Sequence, residues 1–219
     1  KVCLMTYLQL VNSVLRRLRE NEVSSVSENS YSLLIGELVN DAKKTVENAW
    51  DWSALRTDIT FNTSASDFTY SLTGAKDNSK VLDALNDTAN TRVQYETPAQ
   101  FRTFRKLGSA SSGAPFYFTF NGFDSNSDTQ IDVYPTPDGV YSLIFTVVLR
   151  PDSLSNDSDV LSVPSSPVVL GAAARAARER GETGGQSASE YFNLAQVSLS
   201  DAIAFDAAKN PEELVFRVV

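Results

Sequence analysis

Trp50-Asp51-Trp52-Ser53-Ala54-Leu55-Arg56-Thr57-Asp58-Ile59-Thr60-Phe61 is where the hydrophobic period of this chain changes. Up to Trp52 the apolar residues recur at helical spacing. From Thr57 they alternate, Ile59 and Phe61 standing between polar neighbours, as a half-buried strand requires. Upstream, Leu34, Leu38, Ala42, Val46 and Trp50 form an i,i+4 stripe thickened by Tyr31, Ile35 and Ala49, which predicts a helix starting near Ser30. A Ser-rich connection, residues 23–29, precedes it. Before that, Thr6-x-x-Gln9 is a capping-box pattern. Leu8, Leu10, Val11, Val14, Leu15 and Leu18 follow at helical spacing, so a first helix should end near Arg19 or Asn21.

Downstream, Phe68, Tyr70 and Leu72 alternate after Ser64-Ala65-Ser66-Asp67, a hairpin signal with the strand carrying Ile59 and Phe61. Residues 80–85 and 92–96 are further strand candidates, joined by Asn86-Asp87-Thr88-Ala89-Asn90. Residues 98–107 suit a short helix, with Pro98 in its first turn and Gly108 after its end. An aromatic run follows at Phe116, Tyr117, Phe118 and Phe120. Strands at 130–134 and 140–149 flank Pro135-Thr136-Pro137-Asp138-Gly139, where Pro-Asp-Gly favours a turn. Six to eight short strands are expected, enough for a small sandwich or barrel.

Residues 152–162 are polar and read as a return linker. A third helix opens at Pro164-Ser165-Ser166-Pro167, with Ser165 or Ser166 as cap and Pro167 at its first position. Its alanines (Ala172, Ala173, Ala174, Ala176, Ala177) allow a neighbouring backbone close. It should stop at Gly181, and Gly184-Gly185 turn the chain. A fourth helix, about 187–209, places Tyr191, Leu194, Ala195, Ala202 and Phe205 inward and ends at Pro211. The expected fold class is α+β. Both chain ends form a four-helix bundle (1–56 plus 163–209), an antiparallel β-sandwich or barrel-like domain (57–162) is inserted, and a C-terminal docking tail (210–219) follows.

Composition narrows the function. The chain has 219 residues, 42% of them hydrophobic, ample for a core. It contains no histidine, which removes the commonest general base and the usual zinc ligand. The single cysteine, Cys3, forbids an intrachain disulfide. No apolar run approaches the roughly 18 residues of a membrane span, and Thr6, Gln9 and Asn12 interrupt any signal-peptide pattern. Synthesis in the cytoplasm is expected. Net charge is −8, so phosphate backbones are repelled unless a basic patch is segregated.

Several pieces in order resemble one family. They are Met5-Thr6-Tyr7-Leu8-Gln9-Leu10-Val11-Asn12, Leu15-Arg16-Arg17-Leu18-Arg19-Glu20 and Trp50-Asp51-Trp52-Ser53-Ala54-Leu55. Further along stand Asp128-Thr129-Gln130-Ile131-Asp132-Val133-Tyr134-Pro135-Thr136-Pro137-Asp138-Gly139, Val163-Pro164-Ser165-Ser166-Pro167-Val168-Val169-Leu170 and Asn210-Pro211-Glu212-Glu213-Leu214. The set resembles the head-to-tail adaptor of short-tailed, double-stranded DNA bacteriophages, in the version found in phages of cyanobacteria. The likeness runs from about Met5 to Val219. It implies a non-enzymatic subunit of a ring, typically of twelve copies, in the neck of the virion between portal and tail nozzle. Helices would face the portal, and strands the nozzle and, where present, tail fibres. An acidic lumen would let DNA slide without specific binding. No cofactor and no membrane are implied.

Each candidate residue also has a plainer reading. The apolar Leu214, Val215, Phe216 and Val218 either fold back or dock on a partner, and the resemblance favours the portal. Phe116 and Tyr117 either belong to the β core or offer a platform to tail, fibre or sugar. Trp50 and Trp52 read as core before interface. Arg16, Arg17 and Arg19, and Arg175, Arg178 and Arg180, suit solvated helix ends, inter-subunit ion pairs or DNA contact. Asp124-Ser125-Asn126-Ser127-Asp128 begins like a calcium loop, but Thr129 and Pro135 stand where glycine and glutamate are needed, so an Asx-rich turn is expected. Three glycosylation-like triplets, at Asn62, Asn86 and Asn156, lack a secretory context. Two alternative functions remain: a receptor- or carbohydrate-binding tail module built on the aromatic run, and a peptidoglycan hydrolase using Glu37 and Asp41 at helical spacing.

Overall fold

The computed structural model describes residues 5–106, 111–181 and 186–209. Cys3, the expected stops at Gly108 and Pro211, the Gly184-Gly185 turn and the tail residues Leu214, Val215, Phe216 and Val218 lie outside the described residues. The chain divides into two compact units, residues 1–54 with 151–219 and residues 55–150.

The first unit holds four helices: α1 (Tyr7–Arg17), α2 (Ser30–Ala49), α4 (Ser165–Glu179) and α5 (Gln186–Lys209). The capping box forms as the sequence predicts. Gln9 N–H donates to the Thr6 hydroxyl at 3.3 Å and Thr6 N–H to the Gln9 amide oxygen at 3.0 Å. The helix ends at Leu18, and Arg19 takes a left-handed backbone (φ 60°) in the place glycine usually fills. A second box starts α2, where Asn29 and Ser32 cap each other.

The buried face of α2 is rotated from the expected stripe. Ile35, Val39, Ala42 and Val46 are buried with Ser32, Gly36, Lys43 and Glu47, whereas Leu34 and Leu38 are half-buried and Ala49 is exposed. Gly36 explains part of the rotation, since a Cβ there would collide with the Tyr7 hydroxyl. The rest comes from Lys43, whose side chain is 1% exposed and whose ammonium is fully engaged. It donates to Glu47 at 3.1 Å and to the carbonyls of Pro151 and Asp152 at 2.8 and 3.0 Å. All three ammonium donors are thus used, which burial of a charge requires.

Those bonds also explain why residues 151–162 belong with the helices. Tyr7 and Leu8 N–H donate to the Asp159 and Asp157 carbonyls, and Asn40 exchanges two bonds with Leu154. Its backbone groups serve as partners for α1 and α2, the Asp157 carboxylate accepts from Val26 N–H in the connection between them, and the Asp159 carboxylate accepts from Ser155 and Asn156 N–H of the segment itself.

Helix α4 is central, with contacts to α1, α2 and α5. Its buried alanines and Gly171 let α2 approach: a Cβ on Gly171 would stand 3.5 Å from that of Ala42. Its cap differs from expectation. Pro164 is the cap residue, without a side-chain bond, and Ser165 is already helical, which puts Pro167 two positions further in. Gly181 ends the helix with φ 62° as expected. Helix α5 packs chiefly on α4, and the four helices are arranged with α1, α2 and α5 about α4.

The second unit holds β1 (Arg56–Asn62), β2 (Thr69–Leu72), β3 (Lys80–Asn86), β4 (Thr91–Arg92), β5 (Gln94–Tyr95), α3 (Pro98–Lys106), β6 (Tyr117–Phe123), β7 (Thr129–Tyr134) and β8 (Ser142–Val148). Two four-stranded sheets form, in the orders β1-β8-β3-β4 and β2-β7-β6-β5. The fold is α+β, and the described strands close no barrel. Leu72, Ile131, Val133 and Phe118 from one sheet share a core with Ala84, Leu143, Phe145 and Val147 from the other.

Two strand expectations need correction. The hairpin predicted between Ile59-Phe61 and Phe68-Leu72 does not form, because β1 pairs with β8 and β2 with β7 in different sheets. Alternation fixes which side of each strand is buried but not which strand it pairs with, and Phe61 and Tyr70 meet as stacked rings at 5.2 Å. The predicted strand 92–96 splits, residue 92 pairing in one sheet and 94–95 in the other. The β5–β6 pair is parallel, so the strands are antiparallel-rich rather than wholly antiparallel.

Candidate functional site

No His, Cys, Asp or Glu cluster among the described residues could hold a metal ion. The Asp124–Asp128 loop is an Asx turn: the Asp124 carboxylate accepts from Asn126 and Asp128 N–H at 2.8 and 2.9 Å. The backbone bond from Asp128 is the largest cause holding its pKa below the usual carboxylate value. Glu37 and Asp41 are both exposed on α2, facing solvent rather than each other across a cleft. What the chain offers instead is surface.

In the β unit, α3 lies on the β6–β7 part of its sheet. Phe104 stacks on Tyr134 at 5.6 Å and meets Tyr117 at 5.3 Å, while Phe101 is buried edge-on to Tyr134. The Arg105 guanidinium sits 3.6 Å over the Phe68 ring and 3.9 Å from the Asp132 carboxylate. Beside them opens a cleft of about 450 Å³ lined by Arg102, Lys106, Thr119, Phe120 and Asp132 among others. The aromatic run therefore divides. Phe118 is core and Tyr117 half-buried under Phe104, but Phe116 (44% exposed) and Phe120 (41%) face outward, with Tyr95 and Phe123.

In the helical unit, Trp52 is buried and its indole N–H donates to the Val46 carbonyl at 2.8 Å, a core role, while Trp50 is half-buried. Most of the arginines singled out above have partners within the unit. Arg16 pairs with Glu22, Arg17 donates to the Ser13 carbonyl, and Arg175 bonds Gly171 and Thr45. Arg180 reaches Glu20 and the Tyr31 hydroxyl. Burial lowers the pKa of Arg180, but the bonds to Glu20 and Tyr31 outweigh it and leave the value raised. Arg178 is exposed and has no partner among the described residues.

Helix α5 departs most from the sequence reading. Ala195 is buried, but Leu194 is 52% and Phe205 76% exposed, with Phe192 and Val197 also outward. Its apolar residues are spread around the helix, so spacing alone gave no unique inner face. Asp206 fixes the true one: its carboxylate accepts from Ser53 N–H at 2.8 Å and hydroxyl at 2.5 Å. Burial pushes the Asp206 pKa up, and the Ser53 bonds with Lys209 more than offset this, leaving it below the usual value. Neither Asp206 nor the Lys43–Glu47 pair was singled out in the sequence. Both look like ordinary solvated charges until the opposing segment is in place.

None of the described helices is long and apolar enough to cross a membrane. A search of curated proteins returns no match. The family model described as SU10 adaptor protein matches residues 5–213, almost the whole chain and both of its units. A chain whose distinctive features are surfaces, and whose match runs through both units, belongs to the SU10 adaptor protein family, structural phage adaptors that work in the virion against other virion proteins.

Proposed function

We propose that this chain is a ring subunit, in twelve copies as in the resembling adaptors, that joins the portal to the tail nozzle and fibres of a short-tailed phage of the cyanobacterial type. The match over residues 5–213 carries this reading. The ring lines the DNA channel, and the charge of −8 per chain keeps DNA from adhering to it. The chain is made in the host cytoplasm and has no catalytic role. We assign the helical unit, residues 1–54 with 151–209, to the portal side, residues 55–150 to the nozzle and fibre side, and 210–219 to docking. Within these, Leu214, Val215, Phe216 and Val218 bind the portal, and Phe116 and Tyr117 bind tail or fibre.

The test is binding of the full chain to its portal, imaged at low resolution, alongside a chain ending at Asn210. Loss of portal binding with an unchanged melting curve is expected for the shortened chain. Unchanged binding removes the tail from the interface. A chain that does not bind the portal in any form sinks the adaptor reading. The exposed Tyr95, Phe116, Phe120 and Phe123 favour a second reading, a carbohydrate-binding tail module, and glycan binding lost on Phe116→Ala would support it.

A further inference from the structure

Helix α5 carries two apolar faces, and α4 covers one. Ala195, Leu199, Ala202 and Asp206 point toward the rest of the unit, buried or half-buried. Leu194, Val197, Asp201, Ala204, Phe205 and Ala208 recur three or four residues apart on the opposite side, and all six are exposed. Such a helix, apolar on both sides and packed on one, needs a second neighbour. Asp201 lies in the middle of this row and has no partner among the described residues.

The neighbour's chemistry can be read from the same unit. Between α4 and α5 runs a groove of about 630 Å³ whose floor includes Gly171, Ala174 and Ala188, with Phe192 and Arg178 beside it. Small residues admit bulky knobs, and Arg178 is a cation of the groove without a partner among the described residues. The two helices run antiparallel, since Ser166 bonds Ser198 at 3.0 Å while Arg178 shares the groove with Ala188 and Ser189. Asp201 therefore stands about 18 Å along α5 from the level of Arg178, at roughly 1.5 Å per residue. They cannot pair within one chain.

We propose that the outer row of α5 in one copy docks into the α4–α5 groove of a second copy, with Asp201 paired to Arg178 and Val197 and Phe205 seated over the small-residue floor. Two different patches meet, so the contact is heterologous, the kind that propagates and closes into rings. This rests on the ring reading above and specifies its interface.

The test is sedimentation velocity of the full chain from about 10 μM to about 1 mM, a range that reaches weak association. Wild type should self-associate with rising concentration. Asp201→Arg and Arg178→Asp should each weaken this at least tenfold, as should Phe205→Ser, and the doubly reversed chain should recover it. Circular dichroism melts should not move, because these side chains are exposed. Equal association in the single variants, or no recovery in the double, overturns the pairing. A wild type that stays monomeric at 1 mM overturns the second copy as occupant. If removing residues 210–219 then releases association, the row is covered by the chain's own tail. Portal binding, measured on Asp201→Arg, separates this failure from failure of the adaptor reading.

Discussion

Helices α4 and α5 are consecutive and both alanine-bearing, yet they are held in opposite ways. In α4, nine of 15 residues are buried, and α1, α2 and α5 all rest on it. In α5, the buried side chains among the described residues are Ala195 and Asp206, and four large apolar side chains face outward. One helix is defined by packing on nearly every side. The other is fixed at a few polar points and leaves its apolar surface for use elsewhere. A helix that is apolar all round is not thereby central, and a central helix need not be bulky.

Four measurements would break or sharpen this contrast. The largest effect is expected at Lys43, which ties α2 to residues 151–152. Lys43→Ala removes the buried ammonium that bonds Glu47 and two carbonyls and should cost about 3–5 kcal/mol in denaturant unfolding. A cost under 1 kcal/mol would mean water reaches the pair. Next comes the polar anchor of α5. Asp206→Asn should cost about 1.5–3 kcal/mol at pH 7, since it weakens charge-assisted bonds from Ser53. The Asp206 pKa is depressed, so its contribution is complete above the ordinary value of 3.8 and fades as pH falls through the depressed one. The difference between wild type and variant should shrink accordingly below pH 3.8, and a constant difference would rule out the charge.

Third, Ala173→Leu on α4 forces a large side chain into a fully buried site and should cost about 1–3 kcal/mol. Neutral behaviour there would show slack in the centre of the unit. Smallest is Val197→Ser on the outer face of α5, where monomer stability should move by no more than about 0.5 kcal/mol. A larger loss in dilute solution would mean that the face is already covered within the chain.

The same contrast explains what was legible in the sequence. The capping box at Thr6, the change of period after Trp52, the positions of most strands and the helix end at Gly181 follow from local rules, and local rules survive folding. The pairing of β1 with β8 and the split at Val93 depend on which distant segment arrives, and alternation carries no information about that. The inner face of α5 was misread for a related reason. With apolar residues all round, its orientation is decided by Ser53, a residue far away in sequence that binds Asp206. The surface candidates were legible only in part: Phe116 emerged exposed as the platform reading needs, while Tyr117 went under Phe104.

One detail of the strands reaches beyond them. The β unit is entered by β1 and left by β8, and these are paired neighbours, with Leu149 N–H donating to the Leu55 carbonyl at 2.9 Å. Once that pair has formed, the distance between Ala54 and Pro151 is set by a strand spacing, however many residues lie between. For the helices that must meet across the insert, a long loop has become a short link, and the entropy of closing it is already spent. The strands can therefore change in length, loops and surface while the helical half meets the same two adjacent chain ends. The insert is an exchangeable cassette, and its two-strand stem is the fitting that must be kept.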